Sequence, residues 1–419
     1  MKKITLLALV LPGLALANGY DVPNVNPRDL AMAGANTAAQ VDAAAAYANP
    51  AALSRLDGLN LSLGASILML STTWNGPPQS SCPPAPAGCL AGRSASTEKK
   101  PAPPVSLFAA YGFKLADRNA GVGFGMNVPG GGNVFWPNDW DGRGRIITVD
   151  RKIYGFYLTG GYEVLKDLRF GGGIIYYYGT EYLKQGVQPS NDSYGELSTT
   201  GGAFSFDLSG EYRLPSIPLT LGADYKYRGE MRLKGNGKFV VPDATLPTVP
   251  PPVDQGVTHD LTYPDVLNLA ASYQVTKPLL LTLGFTWNNY SLYQSDLFVG
   301  SLGTSIEVPR HYSDGYTIRV GGEYELNPKL KLRAGILRDF SGLNATYASA
   351  TLPDSNAWAG ALGAGWKITP DLSLEGSFFY AWLDKVTVQG NVELPGSYKS
   401  DVWILSLGAT WRTDLGGGR

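Results

Sequence analysis

The chain is poor in the residues that most enzymes and metal proteins need. Its 419 residues include two His and two Cys. By count alone that rules out most metal clusters. Charged residues make up 16%, and the formal net charge is −1. There is no basic field to attract nucleic acid. No apolar run is long enough for a membrane-spanning helix. No nucleophile elbow is present, and His259 and His311 fall in or beside expected loops. A Ser/His esterase is therefore not supported. Gly121-x-Gly123-x-Gly125 lies inside a strand pattern and opens no helix, so it is not a nucleotide loop. No catalysis and no cofactor are expected.

Glycine and tyrosine are abundant instead, at 52 and 24 residues. Glycine and aromatics in short periodic runs suit an all-β sandwich, propeller or barrel. The N-terminus has a charged start at Lys2-Lys3 and a short apolar run from Ile4 to Leu11. The small-x-small site Ala15-Leu16-Ala17 follows. That is a secretory signal, with cleavage expected after Ala17. The mature protein is then either soluble outside the inner membrane or a membrane barrel.

Residues 18–56 read as a compact, nearly uncharged plug. Asp42 is a plausible N-cap for an Ala-rich helix, and Pro50 should end it near Asn49. From Leu59 on, the pattern has period two. Leu59, Leu61, Leu63, Ala65 and Ile67 share one face; Asn60, Ser62, Gly64 and Ser66 share the other. Such alternation is the mark of a strand, and it recurs to Trp411 in fourteen sets. Short turns at 116–119, 166–167, 277–278, 327–329 and 370–371 alternate with long segments at 71–104, 180–202, 236–262, 340–355 and 386–400. An even strand count, with short turns on one side and long loops on the other, marks an outer-membrane barrel. Aromatics gather at strand ends, as an interfacial girdle requires.

The face opposite the apolar one carries Asp207, Glu211, Arg213, Asp224, Lys226, Arg228, Arg319, Glu323, Glu325, Lys331, Arg333 and Glu375. In a barrel it points inward, and its mixed signs read first as lumenal ion pairs. Arg228, Arg319, Lys331 and Arg333 are the inward cations to test for a ligand carboxylate. Cys82 and Cys89 flank a small loop, and a disulfide is the default in an exported protein. Val128-Pro129-Gly130-Gly131-Gly132 interrupts the third strand. Pro removes a ladder donor and the Gly run permits a bend. On residues alone this is either a bulge or strand end, or a gap in the wall.

Several stretches together resemble the FadL/TodX-type outer-membrane transporters of long-chain fatty acids and other hydrophobic compounds. Asn49-Pro50-Ala51-Ala52-Leu53, after the Ala-Met-Ala-Gly-Ala run at 31–35, is similar to the hatch signature. Trp140-Asp141-Gly142-Arg143, Tyr263-Pro264-Asp265, the run from Ser313 to Tyr324, that from Leu330 to Gly335, and Leu352-Pro353-Asp354-Ser355 resemble further family patterns in order. One departure is that Trp411 is followed by Arg412 to Arg419 rather than ending the chain on an aromatic residue. The resemblance implies an all-β transmembrane antiparallel barrel of fourteen strands (57–415) around an N-terminal helical hatch (18–56), with a tail at 416–419. It implies that Val128 to Gly132 forms a kink that opens the wall sideways, and that Asn49, Pro50 and Ala51 belong to the gate. The expected partners are a hydrophobic small molecule and outer-membrane lipid, with no nucleic acid; a monomer is expected. The rival readings are a general diffusion porin and a structural or adhesive barrel displaying its loops.

Overall fold

Alternation of apolar and polar residues builds a closed wall. In a computed structural model, which describes residues 19–23, 26–78, 90–187, 192–240, 254–388 and 394–413, fourteen wall strands follow one another around a barrel. They are β1 (Gly58–Asn75), β2 (Val105–Leu115), β3 (Arg118–Phe135), β4 (Thr148–Leu165), β5 (Leu168–Gly186) and β6 (Tyr194–Arg213). Then come β7 (Leu219–Lys226 and Gly229–Val240), β8 (Gln255–Tyr263 and Val266–Thr276) and β9 (Leu279–Asn288). The last five are β10 (Gly315–Asn327), β11 (Leu330–Phe340), β12 (Ala357–Lys367), β13 (Leu372–Leu383) and β14 (Ser397–Thr413). Closure comes from an antiparallel ladder running from Leu59–Thr413 to Asn75–Ser397. A closed ladder leaves no edge unpaired, which a bilayer demands. The N-terminal Lys2 to Ala17 segment and Cys82 and Cys89 lie outside the described residues.

The outward parity is apolar and bounded by aromatics. Tyr111, Tyr212, Tyr273, Tyr324, Trp366 and Trp411 stand at one end of the wall, and Tyr176, Tyr227, Tyr316, Trp358 and Trp382 at the other. Beyond the second ring the outward face turns polar: Arg232 and Asp260 are about two-thirds exposed there. The upper parts of β5 to β8 therefore stand above the membrane. These parts were expected to be loop. They continue as strand because the ladder does not need an apolar face once both sides are wet. The short turns are tight, with Ala116, Asp117 and Asp167 in the left-handed region that two-residue hairpins require.

The lumen is filled by the hatch. Its helices are α1 (Pro27–Ala31) and α2 (Ala45–Ala48), followed by a 3-10 turn at Pro50–Arg55. Helix α1 was not expected. Its local cue is Asn26-Pro27: the Asn26 side chain accepts from Arg28 N–H and Asp29 N–H, and Pro27 takes the first helical position. Asp42 closes the turn before α2, accepting from Ala44 N–H at 2.9 Å, but does not cap the helix. Asn49 is extended (φ −173°), so Pro50 ends α2 as the sequence predicts.

The hatch lies on wall positions that have no side chain. A Cβ at Gly112, Gly121, Gly161 or Gly171 would overlap the hatch backbone between Pro50 and Asp57. One at Gly335 would overlap Met32 and Ala33, and one at Gly363 the Ala31 side chain. Glycine on the inward parity of β2, β3, β4, β5, β11 and β12 thus lets two backbones meet directly. Two ion pairs complete the seating: Arg55–Glu211 at 3.1 Å and Arg28–Glu323 at 3.4 Å.

Candidate functional site: a kinked strand between two cavities

The site begins where β3 leaves the lipid surface. Up to Met126, β3 alternates between exposed and buried residues; from Asn127 to Val134 every residue is buried. The register explains this. Asn127 pairs with Gly155 of β4 and Gly130 with Ile153, so one extra residue is accommodated between them. Pro129 has no N–H to give the ladder, and the following glycines accept the bend. On its other side the β2–β3 ladder ends at the Leu107–Met126 pair. Val128, Pro129, Gly130, Gly131 and Gly132 thus form a bulge at which the wall's pairing on the β2 side stops.

The chain's N-terminal strap, Gly19 to Val22, takes the place of the missing strand. Val22 N–H donates to Pro129 O at 2.9 Å, and Gly131 N–H donates to Tyr20 O at 2.7 Å. Asp21 forms a bridge with Gly130. Gly19 N–H donates to Asp354 Oδ2 at 2.8 Å, and Tyr263 OH donates to Asp21 Oδ1 at 3.2 Å. The Tyr20 hydroxyl donates to Thr262 O. The Tyr20 ring meets Tyr290 and Tyr293 edge-on, with centroids 5.5 and 5.4 Å away. This geometry is favourable beyond area burial alone. Burial pushes the Asp21 and Asp354 carboxyls up to about 7.

The strap separates two cavities. The outer one, about 510 Å³, opens among the extracellular segments and includes Tyr20, Gly132, Phe298, Ile306, Val308 and Leu352. The inner one, about 120 Å³, lies between hatch and wall and includes Asp21, Val22, Pro129, Tyr47 and Arg319. Both touch the kinked strand. The charged residues lining the outer cavity are Arg145, Arg151 and Arg310 against Glu196, Asp296 and Glu307, which sum to zero.

The four inward cations are dispersed. Arg228 pairs with Asp265 at 3.2 Å, Lys331 with Glu323 at 2.8 Å, and Arg333 with Glu323 at 2.7 Å and with Glu375. Arg319 lines the inner cavity and donates to Thr286 Oγ1. Asn49, Pro50 and Ala51 lie deep under the wall. Asn49 Nδ2 donates to Thr37 O at 2.9 Å, and Ala51 N–H donates to Ser209 Oγ at 2.9 Å. The family-like Trp140-Asp141-Gly142-Arg143 folds the loop after β3: Trp140 stacks on Trp136 with centroids 4.1 Å apart, and Asp141 receives Arg93 Nη2 at 2.7 Å. Sequence reasoning did not single out Tyr20, Arg151, Arg310 or the tyrosine cluster. Their only local cue is aromatic and charged residues on a strand end or a loop.

Comparison with known proteins agrees with this architecture. The family described as outer membrane protein transport protein (OMPP1/FadL/TodX) matches residues 8–412. Outer membrane protein P1 of Haemophilus influenzae is 31% identical over 121 residues, 29% of this chain and 26% of the relative. The chain thus aligns with about a quarter of that protein's length. A putative outer membrane protein of Neisseria meningitidis, NMB0088, is 22% identical over 385 residues, 81% of this chain and 80% of the relative. Among solved structures, a Pseudomonas aeruginosa FadL homologue superimposes with a TM-score of 0.81 at 20% identity, covering 94% of this chain and 99% of that one. The Pseudomonas putida toluene transporter TodX gives 0.70 at 15% identity, covering 95% and 100%. At these identities the superpositions establish the fold alone. The protein is an outer-membrane β-barrel and not an enzyme, and the chain belongs to the OMPP1/FadL/TodX family of outer-membrane transport proteins.

Proposed function

We propose that this barrel takes up uncharged hydrophobic small molecules through the outer cavity, passes them beside the strap, and releases them sideways at the β3 kink. The observation that carries this is the position of the strap. It divides the two cavities at the one stretch of β3 where pairing with β2 has ended, and both cavities reach that stretch. Displacing the strap would join them beside the gap. The hatch sits with its backbone directly against wall glycines, which speaks against an open general porin.

Charge supports a neutral cargo. The outer cavity is electroneutral, and Arg228, Lys331 and Arg333 are occupied by carboxylates. Binding then rests on apolar contact, worth about 0.8 kcal/mol per buried CH₂. Toluene is the cargo named for the TodX relative, and CymD is described as a monoaromatic hydrocarbon channel. A second reading, long-chain fatty acid, is favoured by Arg319. Of the four inward cations it alone has no carboxylate within ion-pair distance among the described residues, and it lines the inner cavity.

The test is uptake of radiolabelled toluene and of radiolabelled oleate by cells lacking their own transporter. A variant in which 128–132 is replaced by a regular strand sequence one residue shorter should fold, shown by heat-modifiable migration in gels, yet lose uptake. Uptake unchanged in that variant would exclude lateral release. Toluene uptake without oleate uptake supports the neutral cargo; oleate uptake abolished by Arg319→Gln supports the second reading.

A further inference from the structure

Above the membrane, on the wall of the outer cavity, five ionisable side chains from four separate segments meet out of reach of water. His259 lies on the upper part of β8 and is 1% exposed. Its Nδ1 is 2.7 Å from Glu181 Oε2 on β5, and its Nε2 is 3.2 Å from Asp296 Oδ1. A carboxylate oxygen only accepts, so each ring nitrogen must carry a proton. His259 is therefore an imidazolium. Its ring also stacks on Phe298, centroids 4.4 Å apart.

Asp296 and Phe298 belong to a hairpin of Ser295–Gly300 and Ser305–Pro309 that follows β9. The hairpin joins the wall through three register pairs: Val257–Gly300, Thr258–Val299 and His259–Phe298. Phe298, Ile306 and Val308 form part of the outer cavity's apolar wall. The hairpin is thus a roof with a short hinge: at its tip neutral hydrogen bonds tie it to β8, such as Ser301 N–H to Gly256 O at 2.8 Å, and at its base the fastening is ionic. Asp296 receives Arg310 Nε at 2.8 Å, Arg151 Nη2 at 3.4 Å and Tyr293 OH at 2.8 Å as well as His259. Arg151 in turn holds Glu181 at 2.9 and 2.6 Å.

We propose that His259 is a positioning residue for uptake: as an imidazolium joining Glu181 to Asp296, it clamps the hairpin roof onto β8 and keeps the apolar wall of the outer cavity in place. The consequence for uptake rests on the function proposed above; the clamp itself does not. The groups facing His259 are Glu181 from β5, Arg151 from β4, Asp296, Phe298 and Tyr293 from the hairpin side, and Arg310 after it. On β7 its register partner is Leu233, which is uncharged. Loss of the His259 proton would set a lone pair against one carboxylate and remove a donor from the cluster. Breaking one member of a buried charged network is costly, because the others remain buried and unpaired. Burial alone would lower the His259 pKa; Glu181 and Asp296 outweigh it and push it up to about 9. A group raised in this way stabilises fully below its ordinary 6.5, and the contribution is lost as pH rises through about 9.

Hydrogen exchange on the purified full-length protein in detergent tests this. The compared proteins are wild type, His259→Gln and His259→Phe; the last keeps the stacked ring and loses both N–H groups. At pH 7 the amides of 295–309 should exchange about tenfold faster in both variants, as expected for a locally loosened unit, while the β1–β14 ladder stays protected. In the wild type, hairpin protection corrected for intrinsic exchange should be full below about pH 6.5, decline as pH rises above it, and reach its floor near pH 9. Wild-type protection that stays flat through alkaline pH would overturn the clamp, and so would hairpin protection unchanged in both variants. The pH series needs only the wild type, so it decides the question even if a variant fails to fold. Toluene uptake measured in parallel separates the two claims: a loosened hairpin with no toluene uptake by the wild type sinks the cargo proposal and leaves the clamp.

Discussion

Asp354 and Asp21 show what single residues do for the strap. Asp354 accepts Gly19 N–H and the Ser341 hydroxyl, and Asp21 lies against Gly130 under the Tyr263 hydroxyl. Burial raises both carboxyls from 3.8 to about 7. A raised acid favours the folded state while protonated, and that contribution is lost as pH rises through about 7. The strap amides, corrected for intrinsic rates, should therefore exchange faster at alkaline than at mildly acidic pH. Asp354→Asn, which keeps the burial and removes one titration, should flatten that dependence. Tyr20→Ala removes the ring between the cavities. Toluene uptake should rise in that variant, measured against an equal amount of folded barrel in the membrane. Neither residue announces its role in the chain. Gly19 and Asp354 are 335 positions apart, and no local pattern connects the strap glycine to a loop carboxylate.

At the scale of elements, the strands were legible because lipid on one side and a polar lumen on the other impose period two. All fourteen alternating sets fall on wall strands. What alternation could not give was their upper extent. The sets at Phe170 to Tyr178 and Phe204 to Tyr212 belong to strands reaching Gly186 and beginning at Tyr194, where no bilayer enforces a pattern. The glycines carry no such label: a sequence does not say which inward glycine meets a hatch backbone. Gly171→Val should show the difference. Its side chain would overlap Pro50 and Ala51, and overpacking of this kind typically costs about 1–3 kcal/mol. Thermal melting followed by circular dichroism should drop accordingly. Gly360→Ala on β12, where nothing lies within 4 Å of an added Cβ, is the control; its melting should stay close to wild type.

For the whole molecule, the barrel and the hatch form a single closed body in which the lumen is structural, and the proposed route runs past the β3 kink instead of down the bore. Removal of residues 18–56 should open a polar lumen lined by Asp207, Glu211, Asp224 and Lys226. Single-channel recordings in planar bilayers should then show a large, steady conductance that the intact protein lacks; equal conductance in the two would mean the hatch does not seal. The wall glycines have a further consequence, one of inheritance. A glycine codon is one base from alanine, valine, aspartate, glutamate, arginine, cysteine or serine, and each of these adds at least the atom that the hatch has no room for. The seam between plug and wall has almost no neighbouring sequence to drift into. The outer cavity, built from side chains, has many. If the outer cavity selects the cargo as proposed, side-chain changes there are free to alter what such a barrel carries, whereas any change at a seam glycine meets the stopper in its bore.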